Sequence, residues 1–440
     1  MTIRSGRSGL LIASLFALAS CGGGGGGYGG GGSTPPSTVD NKMTVTVDSG
    51  PTGVGPIANV LYTSVTVCVP GSTSECVTVD HVQVDTQSVG LRLMASAIAG
   101  LSNNVLPNLK QTTDSGGNPI FNCVTFGDGW SWGALVNADI QLTSDEKASS
   151  VPVQIIEDPT TSNVAPAPVS CQTGGPVNNP ENTPMEFGAN GLLGVGMGLQ
   201  DCGPACASSA IPATYYSCTS ATSSGTCTSI TMSTAGQIQN PVNVLSGSDN
   251  NGVAIALPAV SGPAASLTGT MYLGVGTQSN NKLPSSPRII PVEPVYDQFI
   301  HTTYNGVDYP ESVIDAGSNG YFFTDSGLPL CAGAEPMDQN LYCVGATTAL
   351  SGMIQGEAAD GSATGNAITY EFDIDNADAQ IVLLNGSPSN PVLPNLGGTL
   401  GAQNTTFDWG LPAFYGQTVY VVFANRSATG SAQAGPYMSF

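Results

Sequence analysis

Two stretches of this 440-residue chain place a carboxylate in the same local setting. Residues 84–93, VDTQSVGLRL, and residues 314–323, IDAGSNGYFF, align without a gap, matching Asp85 with Asp315, Ser88 with Ser318 and Gly90 with Gly320. Each reads as an apolar strand, an acid, a turn of small or polar residues and a second apolar run. One acid ending a strand before a turn is commonplace, but two copies imply a duplicated unit whose acids face one another. Two carboxylates about 3 Å apart cannot both ionise cheaply, so such a pair holds one proton and titrates as a unit. One member then acts as base toward a shared water while the other donates a proton to a carbonyl, and no nucleophilic side chain is required.

Two such turns need strands on both sides, and the composition supplies them. The chain is 40% hydrophobic and only 9% charged, with 57 Gly and 31 Pro, which points to a turn-rich all-β protein. Regular alternation begins near Met43, in MTVTVDSG. Two β-rich portions follow, residues 43–285 with Asp85 and residues 286–440 with Asp315, divided near SNNKLPSSPRIIP (279–291), which has linker composition. Residues 159–186, rich in Pro, Thr and Asn, and CTSATSSGTC (218–227) read as loop excursions.

Nine basic against 31 acidic residues give a net charge of −22, which excludes nucleic acid and anionic lipid surfaces as attractive partners. Residues 1–20 read as an export signal, with Arg4 and Arg7 followed by an apolar run from Leu10 to Ala19. Leu18, Ala19, Ser20 and Cys21 resemble the lipobox of bacterial lipoproteins, which implies an acyl chain such as palmitate on Cys21 and a membrane anchor through it. Residues 21–42 then form a Gly/Ser/Pro tether. The expected location is the cell envelope, and Gly22 after the lipidated residue fits the outer membrane of a Gram-negative host by the usual sorting rule. No later run is apolar for about 18 residues, so no membrane-spanning helix is expected.

Setting Cys21 aside leaves ten of the 11 cysteines, an even number in a disulfide-permissive compartment. Local spacing suggests Cys68 with Cys76, Cys202 with Cys206, Cys218 with Cys227 and Cys331 with Cys343, leaving Cys123 for Cys171, although spacing alone does not prove connectivity. His81 and His301 are isolated from cysteine pairs, so no metal and no cofactor is implied. His81 precedes Asp85 by four strand residues, about 13 Å, and reads as structural, as does His301. SDEK (144–147) reads as a polar turn. EFDIDNADA (371–379) lacks the Gly and final Glu of the common calcium loop, and Tyr370, Phe372 and Ile374 alternate as in a half-buried strand with acids on its wet face. Trp130 and Trp132 are open to two readings, strand packing or ligand contact.

The paired motif resembles that of the pepsin-like aspartic proteases, whose two lobes each carry Asp, Thr or Ser, Gly, then Thr or Ser. VTFGDGWSWG (124–133) resembles the family's flap hairpin, with Phe126, Gly127, Asp128 and Gly129 at its tip. NGLLGVG (190–196) and WGLPAFYGQTVYVVFA (409–424) resemble the segments that pass beneath the two acid loops. The whole also resembles a bacterial lipoprotein family of unknown function that carries these features. The resemblance implies a bilobal all-β fold of two β-barrel lobes with a cleft closed by the hairpin, Asp85 and Asp315 as catalytic acids, and Thr86, Gln87, Ser88, Ala316, Gly317 and Ser318 as their support.

Four positions depart from that pattern. Gln87 stands for a Gly whose backbone N–H lies close to the first acid, so its side chain must be accommodated at the centre of the site. Ala316 removes one of two hydroxyls that brace the paired loops, while Thr86 keeps the other. Phe126 lacks the flap hydroxyl, and Arg92 replaces the Trp that bonds it, two losses that can be linked. Two functions are therefore carried forward: acid-active peptide hydrolysis by Asp85 and Asp315, or binding of an extended peptide or other ligand in a cleft that no longer cuts. An envelope scaffold with an unused cleft is a third. No pro-segment is recognisable before the first strand.

Overall fold

The computed structural model describes residues 39–440 apart from 103, 160–161, 295–297, 333–339, 382–389 and 402–404. Cys21 and the tether up to residue 38 lie outside the described residues. The rest is predominantly β. Alternation dictates it: in Lys42–Val47, Met43, Val45 and Val47 are buried while Lys42 and Thr44 face solvent. That strand is β1. It is followed by β2 (Tyr62–Cys68), β3 (Cys76–Asp85), β4 (Val89–Met94), β5 (Ile120–Thr125), β6 (Trp130–Gln141), β7 (Lys147–Ile156) and β8 (Gly191–Val195). Then come β9 (Tyr215–Cys218), β10 (Cys227–Ser229), β11 (Gly252–Ala256), β12 (Leu267–Leu273) and β13 (Ile289–Pro291). The second portion supplies β14 (Ile300–Tyr304), β15 (Val307–Ile314), β16 (Tyr321–Phe322), β17 (Thr348–Glu357) and β18 (Ala363–Ile374). It ends with β19 (Gly397–Gly398), β20 (Asp408–Trp409), β21 (Thr418–Val422) and β22 (Tyr437–Ser439). No helix among the described residues is long and apolar enough to cross a membrane.

Strands β2, β3, β8, β4, β7 and β6 pair in that order, and β6 pairs back to β2, closing a six-stranded barrel. Closure removes sheet edges and encloses Val65, Val79, Leu91, Leu93, Ile140 and Val153. From this barrel the sheet continues through β1, β12, β11, β21, β22 and β13, so strands from both sequence portions share one sheet. The segment with linker composition is partly strand, since Ile289–Pro291 pairs with Tyr437–Ser439. A separate seven-stranded sheet holds β14 to β20.

The two acid turns sit in the same strand arrangement. Asp85 ends β3, and the chain returns as β4, but the strand between these two is β8, parallel to β3 and antiparallel to β4. Asp315 follows β15, the chain returns as β16, and β20 lies between them, parallel to β15 and antiparallel to β16. Register pairs Val84 with Leu193 in one copy and Ile314 with Trp409 in the other. The second copy is held by aromatic rings: Phe407 stacks on Phe323 at 4.7 Å and on Trp409 at 4.3 Å. The buried Trp409 indole N–H donates to Thr302 Oγ1 at 2.8 Å. Such pairs add about 0.5–1.5 kcal/mol each beyond simple burial, which fixes β20 in place.

Five disulfides join Cys68–Cys76, Cys123–Cys171, Cys202–Cys206, Cys218–Cys227 and Cys331–Cys343, the pairing that spacing suggested. Cys68–Cys76 and Cys218–Cys227 link residues directly opposite on paired strands. Cys123–Cys171 instead ties β5 to a short helix, Val169–Gln172, in the excursion after β7.

Candidate functional site

The two turns bring Asp85 and Asp315 into contact. Asp85 Oδ1 accepts the backbone N–H of Gln87 at 2.6 Å and of Ser88 at 3.2 Å. Asp315 Oδ1 accepts the N–H of Gly317 at 2.7 Å, and Asp315 Oδ2 accepts the Ser318 hydroxyl at 3.0 Å. Gly317 lies between the carboxyls: a Cβ there would stand 2.8 Å from Asp85 Cγ and 3.0 Å from Asp315 Oδ1. Only glycine lets the two groups meet, and they hydrogen-bond one another. Desolvation first, then the Asp85 and Asp408 charges, push Asp315 well above the usual carboxylate range. Asp315 therefore keeps a proton to higher pH than an ordinary carboxyl does.

The seam between the turns is stitched mainly from the first one. Thr86 Oγ1 donates to Ile314 O at 3.1 Å and accepts the Ala316 N–H at 3.0 Å. Gln87 does not fill the space between the acids. Its side-chain Nε2 crosses to the same Ile314 carbonyl at 3.1 Å, and Gln83 Nε2 reaches Gly317 O at 2.9 Å. Two amide side chains thus do the bracing that a hydroxyl at Ala316 would have done. Ser88 supports Asp85 through its backbone N–H alone, since its buried Oγ has no hydrogen-bond partner among the described residues. Ser318, its counterpart, bonds two acids at once, Asp315 and, at 2.6 Å, Asp408 Oδ2.

Sequence reading missed Asp408. Its signal was present: aligning Leu192-Leu193-Gly194 with Asp408-Trp409-Gly410 sets a carboxylate opposite a core leucine. Asp408 is 8% exposed, and burial, opposed by the Ser318 hydrogen bond and reinforced by the Asp85 charge, pushes it up to about 7.

The hairpin between β5 and β6 turns at residues 126–129, closed by Phe126 N–H to Gly129 O at 2.7 Å. Phe126 packs edge-to-face on Phe187, with ring centroids 5.6 Å apart. Asp128 is exposed at the tip, and desolvation together with the Asp85 charge raises its proton affinity. The excursion after β7 straps this hairpin. Trp130 N–H donates to Asn179 O at 2.9 Å, Glu181 N–H to Trp130 O at 2.8 Å, and Trp132 N–H to Asn182 Oδ1 at 2.8 Å. Glu181, a second residue missed in the sequence, packs its carboxyl against Gly129, where a Cβ would come within 2.5 Å of it. Burial, with the Asp128 and Glu186 charges, pushes Glu181 up to about 8. None of the ion pairs described reaches this acidic group, because Arg92 is held by Asp201 and the histidines by Asp48, Asp80 and Asp308.

The remaining candidates resolve as structural contacts. Trp130 and Trp132 are both core: Trp132 stacks on Phe121 at 5.1 Å, and the indole N–H groups bond Asn178 and Ala165. Arg92 turns inward and does not touch the hairpin tip, donating instead to Asn122, Gln154 and Asp201. SDEK is the turn from β6 into β7, and Asp375 of EFDIDNADA is bonded to Thr347, Gln380 and Asn395. A polar cavity of about 470 Å³ beside Tyr321, Tyr370, Tyr415 and Arg288 is lined by the second portion together with Val260 of the first, and none of the three site carboxyls lines it.

The chain belongs to the family described as Protein of unknown function (DUF3443), whose model matches residues 37–440. No curated protein matches it.

Proposed function

We propose that this protein is an exported lipoprotein of bilobal, pepsin-like architecture that hydrolyses extended peptides in acid through Asp85 and Asp315. The observation that carries the reading is the symmetric contact of the two acids, each gripped by the N–H two residues on, with Gly317 leaving room for them to touch. The duplicated strand-between-strands setting of both turns supports two related lobes. In the step this geometry suits, Asp85 takes a proton from a water whose oxygen attacks the peptide carbon, and Asp315 gives its proton to the carbonyl oxygen. Collapse of the resulting diol breaks the C–N bond. The proton on Asp85 passes to the leaving nitrogen, and a diol proton returns to Asp315.

The purified full-length protein, incubated with an extended peptide library from pH 3 to 9, should give defined cleavage products in acid and lose them as pH passes neutrality, because burial and the neighbouring acids hold the shared proton above the usual carboxylate range. Intact peptides at every pH would overturn hydrolysis. The second reading, a cleft that binds without cutting, is favoured by one feature: the hairpin is strapped by the excursion after β7, and its Phe126, which has no hydroxyl, packs on Phe187. It requires peptide retention without products, undiminished when the acids become Asn.

The lipid anchor belongs to the same proposal and rests on the Leu18–Cys21 sequence and the Gly-rich tether. A Cys21→Ser chain should leave the membrane fraction and incorporate no fatty acid. Continued labelling would refute attachment there.

A further inference from the structure

We propose that Asp408, on the strand β20 that lies beneath the second turn, is a proton store for the acid pair, a positioning residue that keeps Asp315 protonated toward neutral pH by way of Ser318. Ser318 Oγ lies 3.0 Å from Asp315 Oδ2 and 2.6 Å from Asp408 Oδ2, and a hydroxyl has one proton to give. Two carboxylate anions cannot both be satisfied by it, so at least one of these carboxyls is protonated, and with both protonated Asp408 donates to Ser318 while Ser318 donates to Asp315.

Asp408 is the better holder in acid. It is nine-tenths buried, and its Oδ1 has no partner among the described residues, so the anion would be poorly compensated. The charges facing it are acids, Asp85 and Asp315, with Asp128 on the hairpin facing Asp85 in turn. On the strands packed against it, β16 offers only Tyr321, whose hydroxyl is engaged with Tyr370. On β15, Glu311 is bonded to Thr405 and Asp308 to His301. No cation is among them.

Below neutrality, then, Asp408 keeps a proton and Ser318 points its own at Asp315. As pH rises, Asp408 gives up its proton and Ser318 swings to the new anion. Asp315 loses a hydrogen bond that favoured its charged form and gains a negative neighbour, and both changes tighten its hold on the shared proton. The first proton lost is the one the chemistry does not use. Among the described residues the first half shows no such device, since Leu192 occupies the matching strand position and Ser88 Oγ has no hydrogen-bond partner there.

The test has two readouts. Infrared difference spectra of the full-length protein count protonated carboxyls as pH is raised. The wild type should lose a band near neutral pH that Asp408→Asn lacks, and the remaining pair band should titrate at least about one pH unit lower in Asp408→Asn. Asp408→Leu, which copies Leu192, should do the same if the amide disturbs folding. The cleavage readout rests on the peptidase reading: the alkaline limb of activity should move down by a similar amount in both variants. A spectral shift without any cleavage would sustain the proton store and sink the peptidase. Cleavage with an unmoved limb and an unmoved pair band would overturn the store and leave the peptidase standing.

Discussion

Asp85→Asn and Asp315→Asn should each reduce acid peptide cleavage on the order of 10²–10⁴-fold, the contribution of a positioned acid or base. Both are needed because the two roles are distinct: one group must accept a proton while the other gives one. Stability separates this loss from simple damage. The folded state raises the pKa of Asp315, so it binds that proton more tightly than the unfolded chain does. The resulting stabilisation is fully present below the ordinary carboxylate range near pH 4 and is lost as pH climbs toward the raised value. At pH 7 the native acid therefore weighs against folding, and a neutral Asn relieves it. Asp315→Asn should unfold at an equal or higher urea concentration than the wild type at pH 7, with no such advantage at pH 4. An inactive variant that is also less stable at pH 7 would mean the turn had collapsed. A fully active one would end the two-carboxyl mechanism.

Arg92 carries the largest expected stability effect. Its guanidinium is 2% exposed and donates to Asn122 Oδ1 and Gln154 Oε1 at 2.6 Å and to Asp201 Oδ2 at 3.2 Å, while Tyr215 donates to Asp201 Oδ1. Burial alone pushes Asp201 toward protonation, and Arg92, Tyr215 and Asn122 oppose it. Removing one partner strands the other charge in an apolar interior, so Arg92→Leu and Asp201→Leu should each cost about 3–5 kcal/mol. The double variant should cost less than the sum, because no charge is then left unpaired. Urea midpoints for the two singles and the double decide this. Single losses under about 1 kcal/mol, the usual worth of an exposed pair, would show that water reaches the site.

What the sequence disclosed follows from how far each signal travels along the chain. The acid turns, the hairpin at 126–129 and four short disulfides are local, and strand alternation with small-residue turns reports local structure well. Cys123–Cys171 emerged only as the remainder. Gln87 is the instructive failure: reading the position as a lost glycine foresaw crowding, whereas the side chain is long enough to leave the centre and reach Ile314 across the seam. Nothing in the flanking residues reports the far carbonyl. Asp408 was hidden for a different reason. It sits in TFDWG, where an apolar pattern leads the eye to Phe407 and Trp409, and its partner Ser318 is 90 residues away. Residues 176–186, part of the tract 159–186, read as a loop because their strap-like bonds to Trp130 and Ser131 are made by backbone and amide groups, which leave no hydrophobic period.

The return of β21 and β22 to the first sheet sets an order of events during synthesis. β11 finds one of its two neighbours, β12, immediately, but its other edge is bonded to Thr418–Val422 through a register running from Gly252 to Ala256. A chain made from its N-terminus must hold that apolar edge open until residues 418–439 emerge, and an open edge of this kind invites pairing with another molecule. The 22 residues from Thr418 to Ser439 act as an edge cap delivered late. A premature stop after Trp409 would leave both acid turns written in the chain and their bracing residues intact, on a body whose central sheet is free to join its neighbour's.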